Sequence, residues 1–451
     1  MDSAAGPLLI DLYQLTMVEA YLENEQTQTA VFEFFVRTLP PRRGFLLAAG
    51  LEQAIEYFEG LRFSTEDLAW LAKQGQFKAP VLDWLTAFRF TGDVHAIPEG
   101  TPFFANEPIL RVTASLPQAQ LVETRLINIL HFQSLVASKA ARMVLAAPQK
   151  SLVDFGLRRA HGAEAGLMAA RASYIAGFDG TATVLAGKLF GIPLYGTMAH
   201  SFVQIYDDES TAFEEFARSC PGRLILLIDT YDTEAAAHKA VTLAPRFRAA
   251  GLKIDGVRLD SGDIAADAFK VRKILDEGSL KDVAIFASGG LDEDGLRDLI
   301  RKSAPIDGYG IGTSLVTSSD APALDCAYKL EEYGGLARRK RSAGKATWPG
   351  RKQVWRGFSP DGRMAGDVVS IEGDRQNGEP LLQPVMIAGK RIAPPPSLKD
   401  IRERTARQLA RLPEPLRLLE TGGTYPVRIS GALADLAQAV DRRLRQKESG
   451  Q

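Results

Sequence analysis

At 451 residues, 45% hydrophobic and 24% charged, the chain has material for two or three domains, or a barrel with additions, around a sizeable core. A formal net charge of -1 excludes a general nucleic-acid binder but leaves room for local basic patches that hold small anions. The only cysteines, Cys220 and Cys326, lie far apart, which excludes a disulfide framework or thiolate metal site and points to a reducing compartment.

The first residues, Met-Asp-Ser-Ala-Ala-Gly-Pro, lack the basic and apolar regions of a signal peptide. No apolar run approaches the ~20 residues that span a bilayer, so a cytoplasmic protein with no membrane partner is expected. Residues 1–130 read as an α+β unit. Leu8–Glu25 has helical spacing, with Asp11 as a candidate N-cap and Tyr13 on the first turn. Thr29–Arg37 is rich in strand formers, and the loop after it adds Arg42 and Arg43. Gly44–Gly60 has a helical pattern. Phe90–Pro98 and Thr101–Val112 alternate and read as a hairpin-like pair. Gln118–Ala147 is a long amphipathic stretch in which His131 sits among apolar residues and reads as a core histidine.

From about residue 150 the rhythm changes. Strand candidates Ser151–Phe155, Pro193–Gly196, Leu224–Asp229, Ile254–Leu259, Val283–Ala287 and Ile306–Ile311 alternate with helix candidates Ala163–Ala176, Thr233–Ala250, Ile264–Glu277 and Asp292–Lys302. Repeated βα units predict a parallel sheet, barrel or doubly wound, and a closed or nearly closed barrel fits best because polar motifs follow the strands. Beyond 331 the chain is dense in Gly, Pro, Lys and Arg. Gln353–Phe358, Val368–Glu372 and Pro384–Ile387 read as strands, and Pro394–Pro396 leads into a helix over Ser397–Arg411. The charged residues Arg442–Gln451 read as a frayed end.

Polar clusters at the strand ends carry the candidate chemistry. Asp154-Phe-Gly-Leu-Arg-Arg159 offers an aromatic face with Arg158 and Arg159, and would equally serve as a core Phe155 beside two solvated arginines. Gly196-Thr-Met-Ala-His-Ser201 places His200 among small residues, as a base, a nucleophile or, least suited for want of a second spaced histidine, a metal ligand. In Asp229-Thr-Tyr-Asp-Thr233, Asp232 reads as a helix cap, while Asp229 is placed to reach a substrate or Mg²⁺. Arg258-Leu-Asp-Ser-Gly-Asp263 sets a cation beside two carboxylates, suited to sugar hydroxyls or hydrated Mg²⁺, although Asp-Ser-Gly-Asp is also good turn chemistry. Asp263 reads as either a Mg²⁺-water ligand or the N-cap of the helix from Ile264, and the cap is the commoner role. Ser288-Gly289-Gly290 and Gly308-Tyr-Gly-Ile-Gly-Thr313 are glycine-rich and follow the last two strands, where bare backbone and helix N-termini can hold phosphate. Together these suit a phosphorylated sugar beside a flat anionic ring.

The ordered set Asp11-Leu-Tyr-Gln-Leu-Thr-Met17, Asp154–Arg159, Gly180-Thr-Ala-Thr-Val-Leu-Ala-Gly187, Gly196–Ser201, Arg258–Asp263, Ser288–Gly290, Gly310–Thr313 and Gly350-Arg-Lys-Gln-Val354 resembles the nicotinate phosphoribosyltransferase family. The resemblance implies an irregular, TIM-like α/β-barrel beside an open α/β domain. Residues 1–148 and 331–451 would form the open domain, with 149–330 as the barrel. It implies transfer of phosphoribose from phosphoribosyl pyrophosphate to nicotinate, coupled to ATP and Mg²⁺, for NAD salvage by a homodimer with shared sites. Tyr13 of the partner subunit and Phe155 would sandwich the ring. Arg258 and Thr197 would contact nicotinate, with Arg258 or Arg158 facing its carboxylate. Asp260 and Gly262 would hold the ribose, and Gly289, Gly290, Gly312 and Thr313 the 5′-phosphate, with Ser288 a further substrate-binding residue. Arg37 and the basic segment 338–356, with Lys345, are candidates for pyrophosphate or ATP phosphates, though that segment would also serve as a solvated loop. His200 matches the histidine that the family phosphorylates from ATP.

Related families fit less well. A nicotinamide phosphoribosyltransferase would carry an aspartate in the Gly-Thr-x-Thr-Val stretch where this chain has Ala182, and a carboxylate there would repel nicotinate. A quinolinate phosphoribosyltransferase would lack the Gly-Thr-x-Ala-His-Ser motif. A non-catalytic phosphoribosyl-binding sensor could have lost His200, Asp260 and Asp263, all of which are present.

Overall fold

In a computed structural model the chain divides into two compact units, Met1–Ser138 with Ala323–Gln451, and Lys139–Pro322. The structure describes residues 6–220, 222–420 and 423–449, so the opening Met-Asp-Ser-Ala-Ala stretch and the last two residues lie outside it.

The second unit is built on a parallel sheet in the order Gly180–Thr181, Ser151–Asp154, Gly308–Ile311, Ala284–Ala287, Ile254–Leu259 and Leu224–Leu227. All its ladders are parallel, as alternating apolar strands and helices require. Four of its helices, Ala163–Ala176, Thr233–Ala249, Ile264–Glu277 and Glu293–Arg301, fall within a residue of their sequence-derived limits. Leu194 makes only an isolated bridge to Thr181, where a strand over Pro193–Gly196 was expected. Among the described residues the ladder leaves Gly180–Thr181 and Leu224–Leu227 as edges, so closure of the barrel by backbone pairing is not seen. The sheet nevertheless curls, because Val153, Ile225, Arg258 and Phe286, from four of its strands, line one cavity.

Bare glycines make that curl possible. A Cβ on Gly308 would lie 2.7 Å from the Phe286 ring, and one on Gly310 only 2.4 Å from the Phe155 ring. Gly180 likewise admits Tyr195, with a Cβ–ring approach of 2.5 Å. Gly308 and Gly310, expected to approach phosphate, instead receive aromatic rings on the inner face.

The first unit holds a seven-stranded sheet in the order Leu336–Ala337, Cys326–Tyr333, Thr29–Val36, Leu110–Ser115, Asp93–Ala96, Gln383–Ile387 and Lys390–Arg391. A four-stranded sheet contains Lys352–Phe358 and Met364–Ile371. The strand Cys326–Tyr333, which the sequence does not announce, pairs with Thr29–Val36 and crosses the expected boundary at 330. The helical reading of Gly44–Gly60 is corrected. Leu46–Leu47 pairs as a strand with Pro102–Phe103, and the helix begins at Leu51 after Gly50 turns with φ +97. Pro102–Phe103 therefore turns away from the expected hairpin, and Asp93–Ala96 pairs with Leu110–Ser115. The long helical stretch is split into Leu116–Leu121 and Glu123–Ala146, and His131 accepts from the Leu324 N–H at 3.0 Å. Of the expected frayed end, residues 442–449 belong to a helix over Gly431–Ser449, and the last two residues lie outside the described residues.

Candidate active site at the strand ends

The sequence-derived residues of the second unit gather at the carboxyl ends of its parallel strands, the rim where α/β proteins bind ligands. Asp154 ends its strand fully buried. Its carboxylate accepts from Thr181 Oγ1 at 2.7 Å and from the Gly156 N–H at 2.8 Å. Burial pushes this carboxyl up to about 6, against the lowering pull of those two hydrogen bonds. Asp154 is thus a scaffold beneath Phe155. Arg158 and Arg159 lie exposed on the short 3₁₀ turn that follows.

Arg258, near the end of Ile254–Leu259, extends into the cavity that Phe155 and Thr197 also line. Its guanidinium donates through Nη2 to the Met198 carbonyl at 3.2 Å, while Nε is buried without a partner. Burial lowers its pKa, and Asp260 and Asp229 oppose that shift. Among the described residues no acidic side chain lines this cavity. Arg223, whose guanidinium lies 4.5 Å from the Tyr195 ring centroid, adds a second cation there.

Asp260 and Asp229 divide the work of the next loop. Asp229 Oδ2 accepts from the Asp260 N–H at 3.0 Å and from Ser261 Oγ at 2.6 Å, leaving Oδ1 buried and unpartnered. Asp260 Oδ1 accepts from Ser288 Oγ at 2.5 Å. Its other oxygen faces His200 Nε2 at 3.7 Å, and His200 Nδ1 lies 3.1 Å from Thr230 Oγ1. Both Asp260 and His200 keep part of their side chains exposed, at 29% and 37%. Asp263 caps the helix Ile264–Glu277 by accepting from the Ala266 N–H, and Asp232 caps Thr233–Ala249 in the same way.

The glycine turns have specific geometric reasons. Gly289 has φ +93, and a Cβ there would fall 2.1 Å from the Asp260 carbonyl oxygen, so only glycine lets the two rim loops touch. Gly262 and Gly290 also adopt positive φ. Gly289, Gly290 and Thr313 are exposed. The N-terminus of Glu293–Arg301 is already closed by Asp292, with Glu293 and Asp294 in its first turn. Its dipole is therefore offset by local negative charge, and the exposed backbone of Gly289 and Gly290 is what remains for an anion.

Tyr13, Arg37 and Lys345 belong to the first unit. Tyr13 is 42% exposed on Leu12–Glu23, whose N-cap Asp11 forms a capping box with Gln14. Arg37 pairs with Asp325 at 2.8 Å. Lys345 lies in an exposed turn. Sequence reasoning missed Thr181, Thr230 and Ser261 as side chains that hold the site. Each stands beside a singled-out aspartate or within a quoted motif, which is the signal that could have found them.

Carboxylates, an accessible imidazole and glycine turns on the rim of a parallel sheet define an α/β enzyme. Sequence models of the nicotinate phosphoribosyltransferase N-terminal domain, family and C-terminal domain match residues 8–131, 150–334 and 373–437. A nicotinate phosphoribosyltransferase of Mycobacterium tuberculosis is 48% identical over 442 residues, 96% of this chain and 94% of the relative. One of Bacillus subtilis is 39% identical over 83% of this chain and 78% of its own. The crystal structure of human nicotinic acid phosphoribosyltransferase superposes with a TM-score of 0.86 at 29% identity, covering 96% of this chain and all of that one. The chain belongs to the nicotinate phosphoribosyltransferase family.

Proposed function

We propose that this protein joins nicotinate to the phosphoribosyl group of phosphoribosyl pyrophosphate, giving nicotinate mononucleotide and pyrophosphate in NAD salvage. The observation that carries the choice of ring is the Phe155 cavity, where Arg258 stands without an acidic neighbour among the lining residues. Asp260 and Asp229 act on this half-buried cation, but neither lines the cavity, so on the ring side an anionic carboxylate suits it better than a neutral amide. Arg158 is exposed by comparison, so Arg258 is assigned the carboxylate contact.

The ring nitrogen of nicotinate already holds a lone pair, so attack on the anomeric carbon needs no general base. The protein's task is electrostatic: to stabilise a cationic ribosyl centre and a departing pyrophosphate. Asp260, with Gly262, is assigned to the ribose. Gly289, Gly290, Gly312 and Thr313 are assigned to the 5′-phosphate, with Ser288 beneath them holding Asp260, and Arg37 and Lys345 to the pyrophosphate or ATP phosphates. Mg²⁺ fits this donor set as an ion held mostly by substrate phosphates. The unpartnered Oδ1 of Asp229 would hold it through water, while Asp263, the other candidate, is engaged as a helix cap; bound there the ion would neutralise developing phosphate charge.

His200 is assigned as the residue phosphorylated by ATP, which would drive substrate binding and the equilibrium forward. A cytoplasmic homodimer is part of the reading, with Tyr13 of one copy covering the ring in the other and the curled sheet working as an irregular barrel beside an open domain. Two exposed apolar surfaces support it: Leu12 and Tyr13, at 57% and 42%, and Val184 and Leu185, at 71% and 49%. No helix among the described residues is long and apolar enough to cross a membrane.

Calorimetric binding measured beside turnover tests the proposal. Phosphoribosyl pyrophosphate and nicotinate should release pyrophosphate, and binding without release would leave only a sensor. His200→Ala should lose ATP stimulation while keeping slow ATP-independent transfer, and full stimulation in that variant would remove the phosphohistidine.

A further inference from the structure

The loop after Leu224–Leu227 touches His200 on one side and the neighbour of His200 on the other. Asp229 holds the Asp260 backbone N–H at 3.0 Å, and the next residue, Thr230, meets His200 Nδ1 at 3.1 Å. Asp260 Oδ2 stands 3.7 Å from Nε2, with Oδ1 fixed by Ser288. A carboxylate opposite a ring nitrogen repels a lone pair there and attracts an N–H. The favoured neutral tautomer therefore carries its proton on Nε2 and its lone pair on Nδ1. Thr230 is then the donor, because a hydroxyl can rotate its hydrogen toward whichever lone pair it faces.

We propose that Thr230 is a positioning residue, which orients the His200 ring and holds Nδ1 as the free-base nitrogen that receives a phosphoryl group. This deepens the phosphohistidine reading and rests on it for the second half of the claim. The step balances without a base. The Nδ1 lone pair forms the N–P bond to the γ-phosphorus of a nucleoside triphosphate. The bond to the bridging oxygen breaks, and its electron pair leaves with the diphosphate. The ring, bearing phosphorus on Nδ1 and hydrogen on Nε2, gains positive charge facing Asp260. Thr230 gives up its hydrogen bond to Nδ1 as the phosphoryl group arrives, so its role lies in presenting the ring.

The test uses the full chain labelled with ring-¹⁵N histidine, observed by NMR on the alkaline side of the imidazole range. There are five histidines, and His200→Ala assigns the signal. His200 should show a protonated Nε2 and a bare, hydrogen-bonded Nδ1. In Thr230→Val, which keeps the β-branched shape, the Nδ1 shift should move to that of an unbonded nitrogen, and Thr230→Ser should restore it. A protonated Nδ1 in the wild type, or an Nδ1 shift unmoved by valine, would overturn the assignment. Labelling by γ-labelled ATP should slow by about tenfold in Thr230→Val, the rate worth of one hydrogen bond, through kcat rather than KM, and recover in Thr230→Ser. Labelling at the wild-type rate in the valine variant would overturn the presenting role. If the wild type takes up no label, the phosphohistidine reading fails, and the NMR comparison alone decides whether Thr230 orients the ring.

Discussion

Asp154 and Asp260 both stand at the ends of strands in the same parallel sheet. Asp154 is fully buried, both its oxygens accept protein hydrogens, and burial raises its pKa to about 6. Asp260 spends one oxygen on Ser288 and turns the other, partly exposed, toward His200. Position at the rim therefore does not by itself make a carboxylate chemical. The acid whose acceptors are already used is scaffold, and the acid with an acceptor left over is available to substrate.

Substitutions can break or sharpen that division. The largest effect should fall on Arg258→Ala, beside Asp260, which should weaken nicotinate binding by roughly 2–5 kcal/mol if the carboxylate is desolvated. An unchanged KM for nicotinate would refute the contact. Asp260→Ala should lower kcat/KM by about 10²–10³-fold, the size of a lost transition-state contact, while unfolding free energy moves by less than about 1 kcal/mol. The division fails if the loss shows up as stability instead.

Asp154 should behave in the opposite sense, and its signature is pH. Its folded pKa of about 6 stands above the ordinary 3.8, so the folded state keeps a proton that the unfolded chain has released across that window. Stability should then fall as pH rises from about 4 to 6 and level off above, by up to about 3 kcal/mol. Denaturant unfolding across that range, compared with Asp154→Asn, checks it, and equal slopes for the two proteins would contradict the assignment. The smallest effect belongs to Gly310→Ala. The new methyl must push the Phe155 ring by overpacking worth about 1–3 kcal/mol, raising the KM for nicotinate about tenfold. An unaltered KM would mean that the ring can shift without cost to binding.

Much of the second unit was legible because its strands are short apolar runs between helices, and its chemistry sits in contiguous motifs. What stayed hidden has physical causes. Gly180–Thr181 is a strand of two residues, too short for any period, though Thr181 completes the Asp154 scaffold. Cys326–Tyr333 buries Glu331 completely, and its neighbour strand buries Glu33, with Lys352 Nζ 2.9 Å from Glu33. Charges at core positions erase the apolar alternation that announces a strand. Gly308 and Gly310 were misread because glycine marks close approach without saying what approaches. Here it is Phe286 and Phe155. The Thr230 contact joins residues 30 apart, which motif spacing cannot register.

The most direct test is nucleotide formation with nicotinate and nicotinamide compared side by side, each with phosphoribosyl pyrophosphate and ATP. The Phe155–Arg258 cavity, with no acidic lining residue, predicts nicotinate mononucleotide as the product and a kcat/KM for nicotinate at least about 10²-fold above that for nicotinamide. Equal turnover of the amide, or no turnover of the acid, would contradict it.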